Sequence, residues 1–194
     1  MDSKEKLIYF VTRNSHKFDE VLNLFSKERL NYNLYQSDIE TIEIQAETIK
    51  EVALFKLNSV KQKIFNSFFI EDAGFFVDHP LKGFPGFYSS YVLKTIGNEG
   101  ILKLIQDFDD SKAHFSAVIA LYFKPLNKVF LFEGNVYGKV SNEIRGIKGF
   151  GFDPIFIPNS NPNNTFAELS TQEKNKISHR GQALEKLIDF LKKN

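Results

Sequence analysis

The sequence predicts an α/β protein, an elongated mixed β-sheet flanked by helices. Two observations predict it. Short β-prone apolar runs alternate with segments of helical periodicity, beginning with a strand–loop–helix over residues 7–25. The 194 residues are 42% hydrophobic and 25% charged, an ordinary globular composition, with no internal repeat, low-complexity tail or long linker. Residues 1–194 therefore read as one domain, long enough to bury a core without staples.

Residues 7–12 form the first β-prone run. Phe18, Val21, Leu22 and Phe25 follow at the i, i+3, i+4, i+7 spacing of a half-buried helix. Residues 32–36 are a weak second strand. Ile49, Val52, Ala53, Leu57, Val60 and Ile64 mark a long helix starting near Thr48. The apolar run 68–70 ends at Glu71-Asp72-Ala73-Gly74, residues 75–77 form another short strand, and Gly83-Phe84-Pro85-Gly86 is a turn. Asn98 is placed to cap a helix over 99–108. Residues 114–123 and 129–137 read as strands joined by a turn through Pro125 and Asn127. A glycine-rich stretch, 146–151, precedes a strand at 155–157 and an exposed Asn/Pro loop at 159–164. Ser170 and Glu173 make a capping box. Leu184, Leu187, Ile188 and Leu191 give the last helix its apolar face.

The composition excludes several function classes. The chain has 21 Phe, no Trp, no Cys and one Met. Without cysteine there is no disulfide framework, thiolate metal site or cysteine nucleophile. A formal net charge of +1 argues against a protein held to nucleic acid or acidic membrane by bulk charge. The opening apolar run is too short for a signal peptide, and no stretch approaches the roughly 18–20 apolar residues of a membrane span. The expectation is a cytoplasmic protein.

Polar clusters sit where strands end or glycines bend the chain, the usual place for chemistry in α/β proteins. In Thr12-Arg13-Asn14-Ser15-His16-Lys17, helix-start amides with Asn14, Ser15 and Lys17 suit phosphate oxygens. The same residues equally suit a plain helix cap. Glu71-Asp72, with Glu40, Glu43 and Glu47 in a preceding loop, offers the oxygen ligands that Mg²⁺ takes, and one carboxylate could activate water. Neighbouring strand residues face opposite ways, so Glu71 and Asp72 are not expected to share one task. Lys148-Gly149-Phe150-Gly151-Phe152-Asp153-Pro154 brings backbone and an aromatic ring close to a flat ligand, or makes a Phe-rich turn in the core. Lys174 to Gly181, expected just inside the last helix, offers His179 and Arg180 as donors, or a solvated basic face. There is no Walker loop and no nucleophile elbow.

Thr12-x-Asn14-x-x-Lys17, Glu71-Asp72-Ala73-Gly74, Gly83-Phe84-Pro85-Gly86, Gly149-Phe150-Gly151-Phe152-Asp153-Pro154-Ile155-Phe156 and Thr165-Phe166-Ala167-Glu168 running to Ser178-His179-Arg180-Gly181 occur in this order. Together they resemble the inosine triphosphate pyrophosphatase family, which removes non-canonical purine nucleotides, and the stretch Phe84-Pro85-Gly86-Phe87-Tyr88-Ser89-Ser90-Tyr91 looks closest to its archaeal members. The resemblance covers nearly the whole chain. It implies Mg²⁺-dependent hydrolysis of ITP, dITP and XTP to the monophosphate and pyrophosphate, on a fold of two lobes around a central substrate cleft, as a homodimer. Thr12, Arg13, Asn14, Ser15, His16 and Lys17 would then hold the triphosphate, with Lys56. Glu43 and Asp72 would place the metal, Asp72 also activating water, with Ala73 beside the substrate. Phe150 would stack on the purine within Gly151, Phe152 and Asp153, and Lys174, His179 and Arg180 would complete the base and phosphate contacts.

Arg13 and His16 stand where the family often has glycine, Ala73 replaces a Ser or Thr, and Phe152 replaces a common Tyr. These departures bear on fine positioning rather than reaction type. Two rival readings are a pyrophosphatase for other modified nucleotides and a nucleotide-binding module without catalysis.

Overall fold

The computed structural model describes residues 6–28, 30–42 and 44–194. In chain order these residues form β1 (Lys6–Val11), α1 (Ser15–Lys27), β2 (Tyr32–Ser37), α2 (Ile49–Val60), β3 (Ser67–Val77), β4 (Phe84–Gly86), α3 (Ser89–Thr95) and α4 (Gly97–Ile105). β5 (Lys112–Phe123), β6 (Lys128–Val140), β7 (Phe156–Pro158), α5 (Thr171–Ile177) and α6 (His179–Lys193) complete them. The strands make one sheet in the order β2-β1-β3-β5-β6-β7, with β4 paired to β3. β1 runs parallel to both β2 and β3, while β4 on β3 and β7 on β6 are antiparallel. The expected α/β class and mixed sheet are what the chain adopts. Among the described residues no helix is long and apolar enough to cross a membrane.

The local chemistry accounts for the first elements. Asn14 caps α1, its Oδ1 accepting the Lys17 N–H at 3.1 Å, and Val21 and Phe25 point into the core while Leu22 stays exposed. Thr48 and Glu51 close a capping box that starts α2. A one-turn 3₁₀ helix joins β5 to β6, ending at Asn127 with φ 49°, a left-handed conformation that asparagine tolerates.

Some sequence expectations are corrected. The runs 68–70 and 75–77 are one strand of 11 residues, so Glu71 and Asp72 lie within β3 rather than after it. Lysines opposite these carboxylates, described below, make charged positions tolerable in mid-strand. The helix expected over 99–108 starts earlier, at Gly97, and no side chain caps it. Residues 89–95 form α3, which the sequence did not signal. Lys174 to Gly181 is not inside one helix, because the backbone turns extended at Ser178 and separates α5 from α6.

The chain divides into two compact units, one holding the described residues of Met1–Asp72 with Val118–Glu133 and Ala183–Asn194, the other Ala73–Ala117 with Gly134–Gln182. Each has its own core. In the first, Ile8, Phe10, Phe69, Ile119 and Leu121 of the strands meet Val21 and Phe25 of α1 and Leu184, Leu187 and Leu191 of α6. In the second, Phe75 lies 4.8 Å from Phe115 and 4.9 Å from Phe152, centroid to centroid, with Phe156 and Phe166 buried beside them. Burial of each such ring contributes about 2–3 kcal/mol, which explains most of the phenylalanine excess.

Backbone contact couples two of the glycine motifs. A Cβ on Gly74 would stand 2.7 Å from the Gly86 carbonyl oxygen. The Ser89 hydroxyl donates to that same oxygen at 2.6 Å and accepts the Phe75 N–H at 2.8 Å. The turn after β4 is thereby fastened to β3 just beyond Asp72 and Ala73.

Candidate active site

The described site residues form one cluster in each unit. In the first unit α1 and α2 each send a lysine to β3. Lys17 Nζ is 2.7 Å from Glu71 Oε2, and Lys56 Nζ is 3.3 Å from Asp72 Oδ2. The Glu71 side chain is 1% exposed and that of Asp72 19%, so Asp72 is the carboxylate within reach of solvent. The adjacent acids therefore answer to different helices, as strand alternation predicts.

The Thr12–Lys17 loop is internally ordered. Thr12 Oγ1 accepts the Asn14 N–H at 3.2 Å, and the Thr12 carbonyl accepts Gln36 Nε2 at 3.0 Å. Ser15 and His16 are exposed at the start of α1, and Arg13 lies 3.7 Å from Glu40 on the surface. Such an exposed ion pair contributes little to stability. The helix-cap reading of Asn14 is therefore realised.

Asp72 and Glu71 supply hard carboxylate oxygens, the donor chemistry suited to Mg²⁺, which keeps water and phosphate as its remaining ligands. Glu43, the other expected metal ligand, lies outside the described residues. Among the described residues no three or more His, Cys, Asp or Glu side chains gather as a metal site.

In the second unit Asp153 is the centre. Its Oδ2 accepts the Phe150 N–H at 2.8 Å and the Lys174 ammonium at 2.7 Å. Gly149, at φ +72°, makes room for this, since a Cβ there would lie 2.2 Å from Asp153 Oδ2. Lys174 Nζ sits 4.7 Å from the centroid of the half-buried Phe150 ring, and the Arg180 guanidinium carbon sits 5.3 Å from it. Two cations over one ring place hydrogen-bond donors against an aromatic surface. His179 is buried, its imidazole stacked on Phe115 at 4.7 Å and 7°.

Lys174, His179 and Arg180 are all buried, so the solvated basic face is set aside. Phe152 is a core residue, its ring against Phe75 rather than beside Phe150. Ala73 lies in β3 next to Asp72. From the sequence Glu71 is only one of several candidate carboxylates, and the structure pairs it with Lys17. Arg145 and Glu168, to which the sequence reading gives no role, form an ion pair at 3.2 Å that ties residues 145–148 to the Thr165 segment, where Thr165 Oγ1 donates to the Arg145 carbonyl at 2.9 Å. The Thr-x-x-Glu pattern at 165–168 was the available signal.

The open mixed sheet flanked by helices defines an α/β protein. The chain belongs to the Ham1 family, whose sequence model matches residues 8–190. It is 49% identical over 185 residues to a dITP/XTP pyrophosphatase of Thermococcus kodakarensis, covering 95% of this chain and 97% of that protein. It is 46% identical over 187 residues to a dITP/XTP pyrophosphatase of Pyrococcus horikoshii, covering 96% and 97%. A solved HAM1 protein from Coxiella burnetii superposes with a TM-score of 0.84 at 30% identity, covering 97% of this chain and 100% of that one. The family resemblance read from the sequence, including its archaeal leaning, is borne out.

Proposed function

We propose that this chain hydrolyses the deaminated purine nucleoside triphosphates dITP, XTP and ITP to the monophosphate and pyrophosphate. The observation that carries the reading is the Lys56–Asp72 pair, a cation and a partly exposed carboxylate held in the middle of β3. The names of the relatives supply the substrate class.

Lys17, Lys56 and the α1 amides bind the triphosphate oxygens, and Asp72 takes a proton from the attacking water. The water oxygen bonds to the α-phosphorus as the α–β phosphoanhydride bond breaks, and pyrophosphate leaves with the bonding electron pair. Mg²⁺ bound by Asp72 and Glu43 would neutralise charge on the phosphate oxygens. The lysines oppose the negative charge that grows in the transition state. Phe150 stacks on the base, and Arg180 with His179 donates to the carbonyl at purine position 6. Adenine places an amino group there, and two donors facing each other without an acceptor discriminate strongly when buried. The proposal extends, on the resemblance, to a homodimer acting in the cytoplasm, and sedimentation would read the oligomeric state.

The deciding experiment is pyrophosphate release from dITP, XTP and ITP against ATP and dUTP, with and without Mg²⁺. Preference for the deaminated purines supports the proposal. Equal turnover of ATP and ITP overturns it, and preference for dUTP points to a different modified-nucleotide substrate.

A further inference from the structure

Asn98 stands where the sequence predicts a helix cap, yet its side chain is used elsewhere. α4 has no side-chain cap, and Asn98 Nδ2 instead donates to the Gly151 carbonyl at 3.1 Å, across 53 residues of sequence. The amide orientation is fixed by its partner, because turning Oδ1 toward a carbonyl oxygen would set acceptor against acceptor. Oδ1 is then buried without a hydrogen-bond partner among the described residues. A buried amide that leaves one atom unsatisfied is costly, so the Nδ2 bond is the contact that this side chain serves.

Gly151 lies between the two phenylalanines of the turn and adopts φ +69°. The turn is held on either side of it. On one side Asp153 Oδ2 takes the Phe150 N–H at 2.8 Å, and on the other the Phe152 ring is wedged against Phe75. The Asn98 amide holds the carbonyl of the Gly151–Phe152 peptide, one residue beyond Phe150. The preceding residue, Gly97, is also left-handed at φ +64°.

We propose that Asn98 is a positioning residue for base recognition, its amide holding the Gly151 carbonyl so that the Phe150 ring keeps one orientation beside Lys174 and Arg180. The proposal rests on the reading of Phe150 as the base platform, and it adds a residue from α4 outside the motifs.

The test has a structural arm and a kinetic arm. The protein has no tryptophan, so Phe150→Trp introduces a single indole at the platform. In that background Asn98→Ala should lower the indole anisotropy in the ligand-free protein, and Asn98→Gln, which keeps the amide, should recover part of it. Unchanged anisotropy overturns the proposal whatever the substrate is. In the native background Asn98→Ala should raise KM for ITP about threefold to tenfold, the effect of losing one ordinary hydrogen bond, with kcat nearly unchanged. Inhibition by tripolyphosphate, which has the phosphates and no base, should stay as in the parent. An equal loss for ITP and tripolyphosphate overturns the positioning role. If the parent protein does not prefer ITP to ATP, the substrate reading fails, and the anisotropy result still decides the role of Asn98.

Discussion

The Lys174 ammonium lies 2.7 Å from Asp153 Oδ2, and both side chains are only 4% exposed. Removing one member of such a pair leaves the other charge buried. Asp153→Ala should therefore lower the unfolding free energy by about 3–5 kcal/mol, measured by urea denaturation. Lys174→Met alone also loses the pairing, whereas combining it with Asp153→Leu should recover much of the stability without restoring nucleotide binding. A double variant as unstable as the single would show that the charge pair is not what Asp153 contributes.

Asp72 and Glu71 should separate by phenotype. Asp72→Asn keeps the shape of the side chain and removes the proton acceptor, so turnover of ITP should fall by about 10²–10⁴-fold with ITP binding retained. Glu71→Gln acts through Lys17, to which Glu71 is paired at 2.7 Å. It should weaken triphosphate binding and raise KM. Comparable kcat losses for both variants would place Glu71 in the chemistry itself.

Gly181 permits the sharp passage from α5 to α6. A Cβ there would stand 1.8 Å from the Asn175 carbonyl oxygen, and the Gly181 N–H donates to Ser178 Oγ at 3.0 Å. Gly181→Ala must push backbone apart, which should cost about 3 kcal/mol and move His179 and Arg180 with the start of α6. Thermal unfolding reads the stability, and the ITP/ATP selectivity ratio reads the displacement. An unaltered melting temperature would contradict the close approach.

Acid should weaken the fold through Glu168 and Glu173. The Thr165 N–H donated to the Glu168 carboxylate holds its pKa below the ordinary 4.5, with Arg145 adding to this against the opposing effect of desolvation. The Ser170 hydroxyl and N–H do the same for Glu173. Both folded-state values are depressed, so their stabilisation is present above the ordinary glutamate range and is lost as pH falls through the folded pKa values. Unfolding free energy should decline on acidification below about pH 4.5, and Glu168→Gln should make that decline shallower. A slope unchanged by Glu168→Gln would remove this residue from the account.

Much of this was legible in the sequence because the relevant signals are local. Periodicity located α1, Thr48 marked the start of α2, and two strand-like runs joined by a turn through Pro125 and Asn127 located β5 and β6. β3 was cut short because Glu71 and Asp72 read as a strand end, and only the distant Lys17 and Lys56 make them acceptable within it. The break at Ser178 escaped because neither glycine nor proline stands at that position. The site was legible as residue types, with Lys17, Asp72, Phe150 and Arg180 all in the motifs. Their partners were not, since the Asp153–Lys174 pair and the Asn98–Gly151 bond join positions far apart in the chain.

The contact between Gly74 and Gly86 restricts how this sequence can change. The obstacle to a side chain at 74 is a main-chain oxygen, which every residue type at 86 would present. No exchange of side chains at one position can compensate for a replacement at the other. A library randomised at both positions and selected for folding should return glycine at 74 regardless of what occupies 86, and the two motifs should tolerate drift only in the residues around that fixed point.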